Sequence, residues 1–525
     1  MSNRGAEFQA SDCSFASIPW QSELETLARR YAGRIAVTDE TGTLTYAQLH
    51  ERAIVLAGMI CGRFAAQEPA HRRVGVLLRN SRAAVVADYA VALAGCCIVH
   101  LNPAYSPADL DWCVALAPVD LLITEEALQQ QANGIAVETW TLDPEGTVAW
   151  PEPKSASAAV PRAVDPCSEA RVIFTSGSSG PPKAAVYSHR QRWMAATVLR
   201  SVLPYRPGAS SGIALMTPYV HGASALARAY LDCGSRVEIM QGIDPERLRE
   251  GLRARTFDAV FAPPSVLAKL AELFEFERFD HMRCIFTGTQ PLTPGIYRKS
   301  VQIFGPCLRV TYGKTENLNP ITVLDPQEVD TLYTQTSSPG GTCVGYPGPG
   351  VELRLTPSGE IELRSQHQFS GYLATSGFQP HAADAWHATG DLGEFDECGR
   401  LWLKGRNSDT INTGGYMVSP DEVEAKLSTV AAVTELTVFG VPSEYWTEVS
   451  VCAYVPARKS GTAETQLRSA AEELTKYKRP RLYVPFESLA KTPAGKVDRR
   501  EIRRQLLSGF ILVDGLYPSL KAKDS

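Results

Sequence analysis

The sequence predicts an α/β protein built as a large N-terminal part and a smaller C-terminal part. Three observations predict it. The chain has 525 residues, too many for one compact core, so two or more domains are expected. Short apolar runs alternate with helical periodicity, the pattern of βαβ units on a mostly parallel sheet. Near residues 405–409 that pattern gives way to a shorter α/β one.

Each element follows from a local signal. Val74-Gly75-Val76-Leu77-Leu78 reads as a buried strand, residues 83–93 as a helix ended by Gly95, and Cys97-Ile98-Val99-His100-Leu101 as the next strand. Residues 145–166 are rich in Pro, Ala and Ser and read as a surface connection. A strand over residues 170–174 runs into a Gly/Ser loop, and Ala184-Ala185-Val186-Tyr187 reads as the strand that leaves it. Residues 359–373 and 399–404 read as strands and turns. Beyond the boundary, residues 420–427 form a helix with Pro in its first turn. Residues 434–439 and 449–455 read as strands, and residues 465–474 as a helix. The boundary divides the chain into residues 1–407 and 408–525, both within the usual domain range.

Composition narrows the function. Hydrophobic residues make up 44% and charged residues 21%, ordinary for a globular protein. A net charge of -5, from 52 basic and 57 acidic residues, gives no basic face for a nucleic acid. Affinity for a phosphate-bearing ligand must therefore come from a local site. Twelve cysteines are scattered without a CxxC, which predicts buried free thiols rather than a metal site or a disulfide framework. Residues 1–19 lack the apolar run of a signal peptide, and no stretch of about 18 apolar residues exists to span a bilayer. These features point to a cytoplasmic protein, with the assembly state open between monomer and homodimer.

The strongest local signal is the loop Thr175-Ser176-Gly177-Ser178-Ser179-Gly180-Pro181-Pro182-Lys183. Its glycines let backbone N–H groups approach an anion, and its hydroxyls and lysine add donors. The order is not that of a P-loop, because Lys183 leads into a strand and not a helix. Taken alone, the loop reads equally as phosphate-binding or as a surface turn.

Further segments stand in order behind it: Pro218-Tyr219-Val220-His221-Gly222, Thr311-Tyr312-Gly313-Lys314-Thr315-Glu316, Gly359-Glu360 with Gly371-Tyr372-Leu373, Thr389-Gly390-Asp391-Leu392, Gly405-Arg406, and Pro493-Ala494-Gly495-Lys496-Val497-Asp498-Arg499. Together with the loop they resemble the adenylate-forming superfamily of acyl-CoA synthetases, peptide-synthetase adenylation domains and luciferases. The resemblance runs from Thr43-Leu44-Thr45-Tyr46 to about Gln505.

That resemblance implies a large domain with two βαβ-type sheets and a small β-barrel, and a mobile α/β C-terminal lid. It implies that ATP and an acid react to acyl-AMP and pyrophosphate, and that a thiol then takes the acyl group. Thr175 to Gly180 and Lys183 would cradle phosphate, Thr175 and Glu316 would hold Mg²⁺, and Thr315 would reach the α-phosphate. Thr311, Tyr312 and Gly313 would flank adenine, Asp391 and Arg406 would take the ribose, and His221 would wall the acyl pocket. Lys496, on the lid, would attract the carboxylate and stabilise charge on the α-phosphate. Each has a plainer reading: Asp391 and Arg406 as a structural ion pair, His221 as a core residue, Lys496 as an exposed surface lysine.

Coenzyme A is the expected acceptor. Asn412-Thr413-Gly414-Gly415-Tyr416 through Glu424 resembles the CoA-ligase form of this segment, with Gly414 and Gly415 leaving room for a pantetheine arm. A histidine at His221, where amino-acid-activating relatives have aspartate, argues against an α-amino acid. Transfer to a carrier protein and β-lactone formation are rival outcomes in the same superfamily, and a non-catalytic nucleotide sensor or scaffold is a rival of another class. Three departures stand out: Ser408 and Asp409 at the expected pivot, Ala184 after Lys183, and Thr289 and Gln290 where small residues are common. Fatty, aryl and terpenoid acids all stay open.

Overall fold

A computed structural model describes residues 17–65, 72–150, 159–161, 163–174, 183–204, 211–220, 222–334, 341–406, 409–413, 416–457, 462–492, 495–515 and 517–523. Among these residues the chain forms sheets of thirteen, nine, five and two strands. The expected strand–helix–strand unit is present as Arg73–Leu77, Arg82–Leu93 and Cys97–His100, and its two strands pair in parallel. Ser81 starts the helix by accepting from the Ala84 N–H, and every residue of that helix is buried.

The first two sheets face each other across helices. The largest apolar cluster joins Val74 and Ile98 of the nine-stranded sheet to Val37, Ile213 and Phe261 of the thirteen-stranded sheet. The joining residues come from helices Tyr46–Arg63, Arg82–Leu93 and Gly222–Leu231. Two buried ion pairs lie within this layer, the pairing that a low-dielectric interior favours: Arg82 with Asp39 at 3.0 Å and Arg192 with Asp88 at 2.7 Å. The antiparallel strands expected as a small barrel continue the larger sheet, joined to it where Thr322 pairs with Pro347.

The remaining strands, from Ile411–Thr413 to Leu482–Pro485, form the five-stranded sheet, whose two apolar clusters contain only residues from 411 onward. Helix Pro420–Leu427 lies where its Pro signal puts it, capped by Ser419. Ser419 also donates to the Lys404 carbonyl, tying this cap to the last long strand of the large part. The close approach needs a glycine: at Gly405, with φ of 125°, a Cβ would lie 2.6 Å from Ser419 Oγ.

Two expectations change. Residues 145–166 are not wholly a connection, since Val148–Trp150 adds an edge strand against Thr139–Leu142. Among the described residues ten cysteines are free thiols, nine of them buried, but Cys167 is disulfide-bonded, so the reading of free thiols fails there. No described helix is long and apolar enough to cross a membrane.

Candidate active site

Strands Leu308–Lys314 and Asn317–Leu324 pair antiparallel with Lys314 opposite Asn317, which leaves Thr315 and Glu316 as the turn between them. Thr311 Oγ1 donates to the Thr322 carbonyl at 2.8 Å, so this hydroxyl is committed to the strand pair. Tyr312 donates its hydroxyl to Asp391 Oδ2 at 2.5 Å. Burial, with the Asp391 carboxylate beside it, raises this phenol well above its ordinary range and keeps it a donor. Gly313, next along, lines the cavity described below.

Asp391 is the meeting point. It stands opposite Arg406 in the ladder between His387–Phe395 and Leu401–Arg406, which puts Arg406 Nε 3.3 Å from Asp391 Oδ1. Lys314 Nζ lies 3.3 Å from Asp391 Oδ2 and donates to the Thr389 carbonyl at 2.5 Å. A carboxylate 8% exposed thus has a hydroxyl and two cations around it, the pairing that a buried charge requires. The plain ion-pair reading of Asp391 and Arg406 is realised in this geometry.

A second group forms around Tyr372, which the sequence did not single out as a site residue. Its strand, Gly371–Ala374, pairs with Ala184–Ser188, the strand that begins just after Lys183. The Lys183 ammonium lies 5.5 Å from the Tyr372 ring centroid, within cation–π reach. The Tyr372 hydroxyl donates to Glu316 Oε1 at 2.6 Å. Tyr187, on the paired strand, donates its hydroxyl to the Thr315 carbonyl. One aromatic side chain therefore couples the lysine after the Gly/Ser loop to the acid of the turn. Among the described residues, no cluster of three His, Cys, Asp or Glu is able to hold a metal by itself. Glu316 offers a single carboxylate.

Lys496 comes from the other part of the chain. It ends a closed turn in which the Gly495 N–H donates to the Thr492 carbonyl at 2.8 Å and the Thr492 N–H to the Lys496 carbonyl at 2.7 Å. Gly495 has φ of 76°, a left-handed conformation that glycine adopts without strain. The ammonium is half-buried beside Arg406, Asp391 and Lys314. Burial first, then the cations, pull it below the ordinary lysine range against the attraction of Asp391. The exposed-lysine reading does not describe this position. Further on, Arg499 pairs with Asp409 at 2.9 Å and with Glu424 at 2.8 Å, so Asp409 is fastened within the small part.

A cavity of 1820 Å³ lies between the two parts, with Lys183, Thr315, Glu316 and Arg406 on one wall and Lys496 on the other. Residues 175–180, His221, Ser408, Gly414 and Gly415 lie outside the described residues. Lys314 and Tyr372 are the polar neighbours that sequence reasoning passed over. Both stood inside quoted segments, at positions where the side chain carries no signal of its own.

Comparison with known proteins gives the chain's family and its fold neighbours. The chain is 26% identical over 478 residues to a 2-succinylbenzoate–CoA ligase of Bacillus cytotoxicus, covering 90% of this chain and 96% of that one. The fold is similar to the solved o-succinylbenzoate CoA synthetase of Bacillus subtilis with its acyl-adenylate intermediate, at a TM-score of 0.80 and 22% identity, covering 93% and 99% of the two chains. It is similar also to an amide bond synthetase of Marinactinospora thermotolerans, at a TM-score of 0.80 and 25% identity, covering 93% and 100%. Residues 422–496 match the AMP-binding enzyme C-terminal domain, and residues 24–373 match the AMP-binding enzyme itself. By that match the chain belongs to the AMP-binding enzyme family.

Proposed function

We propose that this protein is an AMP-forming acid–thiol ligase: it joins a carboxylic acid to AMP and then passes the acyl group to coenzyme A. The observation that carries the reading is the cavity that Lys183, Thr315, Glu316 and Arg406 share with Lys496. Two binding halves, one on each part of the chain, are what an enzyme needs that assembles its site on closure. A passive nucleotide sensor has no use for a lysine drawn into the cleft from a separate module.

In the first step an acid oxygen attacks the α-phosphorus of ATP, and the bond to pyrophosphate breaks. Lys183 meets the departing phosphates with residues 175–180. Thr315 donates to the α-phosphate. Lys496 holds the incoming carboxylate against it and stabilises the charge that develops there. Asp391, held by Tyr312, Lys314 and Arg406, accepts from the ribose hydroxyls, and Tyr312 and Gly313 flank the adenine. Glu316, one hard carboxylate oriented by Tyr372, fits a Mg²⁺ ion that takes its remaining ligands from phosphate and water. Bound there, Mg²⁺ supplies neutralisation of phosphate charge.

In the second step the thiol sulfur attacks the acyl carbon and the bond to AMP breaks. We place the division between the two domains at residues 407 and 408, so that Ser408 and Asp409 begin the moving part, and the pantetheine arm beside Gly414 and Gly415. We place His221 at the wall of the acyl pocket. The preponderance of buried free thiols supports a cytoplasmic setting.

Pyrophosphate release with a panel of acids, with and without CoA, tests the reading, and the mass of the product identifies the acceptor. An acyl-CoA thioester is expected. An acyl-AMP that accumulates until a carrier protein or an amine is added, or a β-lactone, would move the second step to another acceptor. Absence of pyrophosphate release with every acid would overturn the reading.

A further inference from the structure

The chain continues past the residues that match the AMP-binding enzyme C-terminal domain, which end at 496. Helix Arg499–Gly509 follows, then Phe510-Ile511-Leu512-Val513, a run of strand-forming residues closed by the turn pair Asp514-Gly515. This run pairs antiparallel with Ser519–Ala522 as a hairpin. Two strands alone are marginal in water, so the hairpin needs support. Leu512 and Leu520, opposite each other, pack on the cluster of Phe439, Val449 and Ile502. The Lys523 N–H donates to the Gly509 carbonyl at 3.0 Å and its ammonium to the Leu507 carbonyl at 2.7 Å, which closes the hairpin onto the end of the helix.

The hairpin grips one loop. Strands Val433–Ser443 and Thr447–Pro456 pair with Ser443 opposite Thr447, across a loop of Glu444, Tyr445 and Trp446. The Asp514 carboxylate accepts from the Ser443 hydroxyl at 2.7 Å and from the Glu444 and Tyr445 N–H groups. The Gly515 carbonyl accepts from the Trp446 indole N–H at 2.9 Å. Every residue of the loop is thus held by Asp514 or its neighbour.

The loop ends in a strained residue. Thr447 has φ of 68°. The left-handed residue that closes a short hairpin loop is normally glycine, and a β-branched residue there is an outlier. Such a backbone persists only where its surroundings over-determine it. Thr447 is exposed, so packing of its own side chain does not hold it. The bonds from the loop to Asp514 and Gly515 supply the constraint.

Thr447 also carries a neighbouring strand. It pairs with Thr413 as well as with Ser443, and Glu448, next to it, accepts from the Asn412 N–H at 2.8 Å. These contacts seat strand Ile411–Thr413, which in turn pairs with Tyr416–Val418. The acceptor arm proposed above lies where these two strands join. A backbone change at Thr447 would shift that pair of strands. The Lys496 turn is closed by its own backbone bonds and stands outside this chain of contacts.

We propose, resting on the ligase activity argued above, that Asp514 is a positioning residue for the second step. Through the loop of residues 444–446 it holds Thr447 in the left-handed conformation, and Thr447 holds the strands against which coenzyme A presents its thiol.

The test separates the two steps in the full chain, with an acid that the panel shows to be used. Thioester formation is followed from prepared acyl-AMP and CoA, and pyrophosphate release from ATP and the acid without CoA. Asp514→Ala should lower kcat/KM for CoA by about tenfold or more and leave pyrophosphate release within about twofold, since a small misplacement of one reactant slows only the step that uses it. Thr447→Gly, placed in the Asp514→Ala chain, should restore most of the loss, because glycine adopts the left-handed backbone without support. Equal loss in both assays would make Asp514 a merely structural residue and overturn the proposal, as would an unchanged rate of thioester formation. A double variant no faster than Asp514→Ala overturns the route through Thr447. Pyrophosphate release without any CoA thioester from the unaltered chain overturns the acceptor and this inference with it, and no release with any acid overturns the activity itself.

Discussion

Asp391 and Lys496 face one cavity but are held in opposite ways. Asp391 is fixed by sheet register: Arg406 lies opposite it in the ladder, and Tyr312 and Lys314 reach it from a strand further along the same sheet. Moving it means breaking a thirteen-stranded sheet. Lys496 is fixed by one turn closed between Thr492 and Lys496, on a part of the chain with its own apolar clusters. Moving it means only shifting that part. The difference implies a division of labour. On the proposed function, the nucleotide side is built before any substrate arrives, while the lysine would be delivered and withdrawn.

The largest effect that breaks this comparison is expected from Lys496→Ala. Removing one preorganised charge at the reacting phosphate typically costs on the order of 10²- to 10³-fold in rate. Pyrophosphate release should fall by that factor at an unchanged melting temperature, because the turn is closed by backbone bonds. A drop below threefold would return Lys496 to the status of a surface lysine. Tyr372→Phe comes next. It removes the hydroxyl that orients Glu316, and loss of such an outer partner typically weakens metal binding by about 10- to 100-fold. A Mg²⁺ titration of pyrophosphate release should shift upward by that amount with kcat regained at saturation. A superimposable titration would detach Glu316 from the metal.

Tyr312→Phe should act more gently on the fixed side. The Asp391 carboxylate keeps Lys314 and Arg406, so the expected change is a rise of roughly threefold to tenfold in KM for ATP, in line with a lost hydrogen bond to a charged group. The KM for the acid should stay in place. If the acid's KM rises instead, Tyr312 belongs to the acyl pocket.

The smallest effect is a pH shift that joins the two regions. On the proposed mechanism the first step needs Lys496 protonated, so its rate should fall as pH rises through that group's lowered pKa. Lys314 lowers it further, and Asp391, which Lys314 partly occupies, raises it. Lys314→Met should therefore move the alkaline limb of pyrophosphate release upward, by a fraction of a pH unit. Linkage gives the matching stability sign: between the folded and unfolded lysine pKa values the unfolded chain binds more protons, so stability rises with pH. The variant should reduce that rise. A limb that moves downward, or not at all, would show that Lys314 and Lys496 do not share a field.

The same contrast governs what was legible in the sequence. Buried strands and capped helices carry local signals, so Arg73–Leu77, Arg82–Leu93 and Pro420–Leu427 fall within a residue of the pattern that predicts them. The motifs located Lys183, Glu316, Asp391, Arg406 and Lys496, and the structure gathers these around one cleft. What the sequence withheld was partnership. That Tyr372 spans Lys183 and Glu316 depends on strand Gly371–Ala374 pairing back to Ala184–Ser188, a contact nearly two hundred residues apart in the chain. That Thr311 serves its strand pair depends on Thr322 lying across from it. Neither pairing leaves a periodicity to read.

The central claim is that Lys496 serves the first step and is absent from the second. The direct test gives Lys496→Ala a chemically prepared acyl-AMP together with CoA and follows thioester formation beside pyrophosphate release from ATP and the free acid. The account predicts thioester formation within about threefold of the unaltered protein, while pyrophosphate release is lower by on the order of 10²- to 10³-fold. Equal loss in both steps would contradict it, because Lys496 would then act from one fixed position throughout.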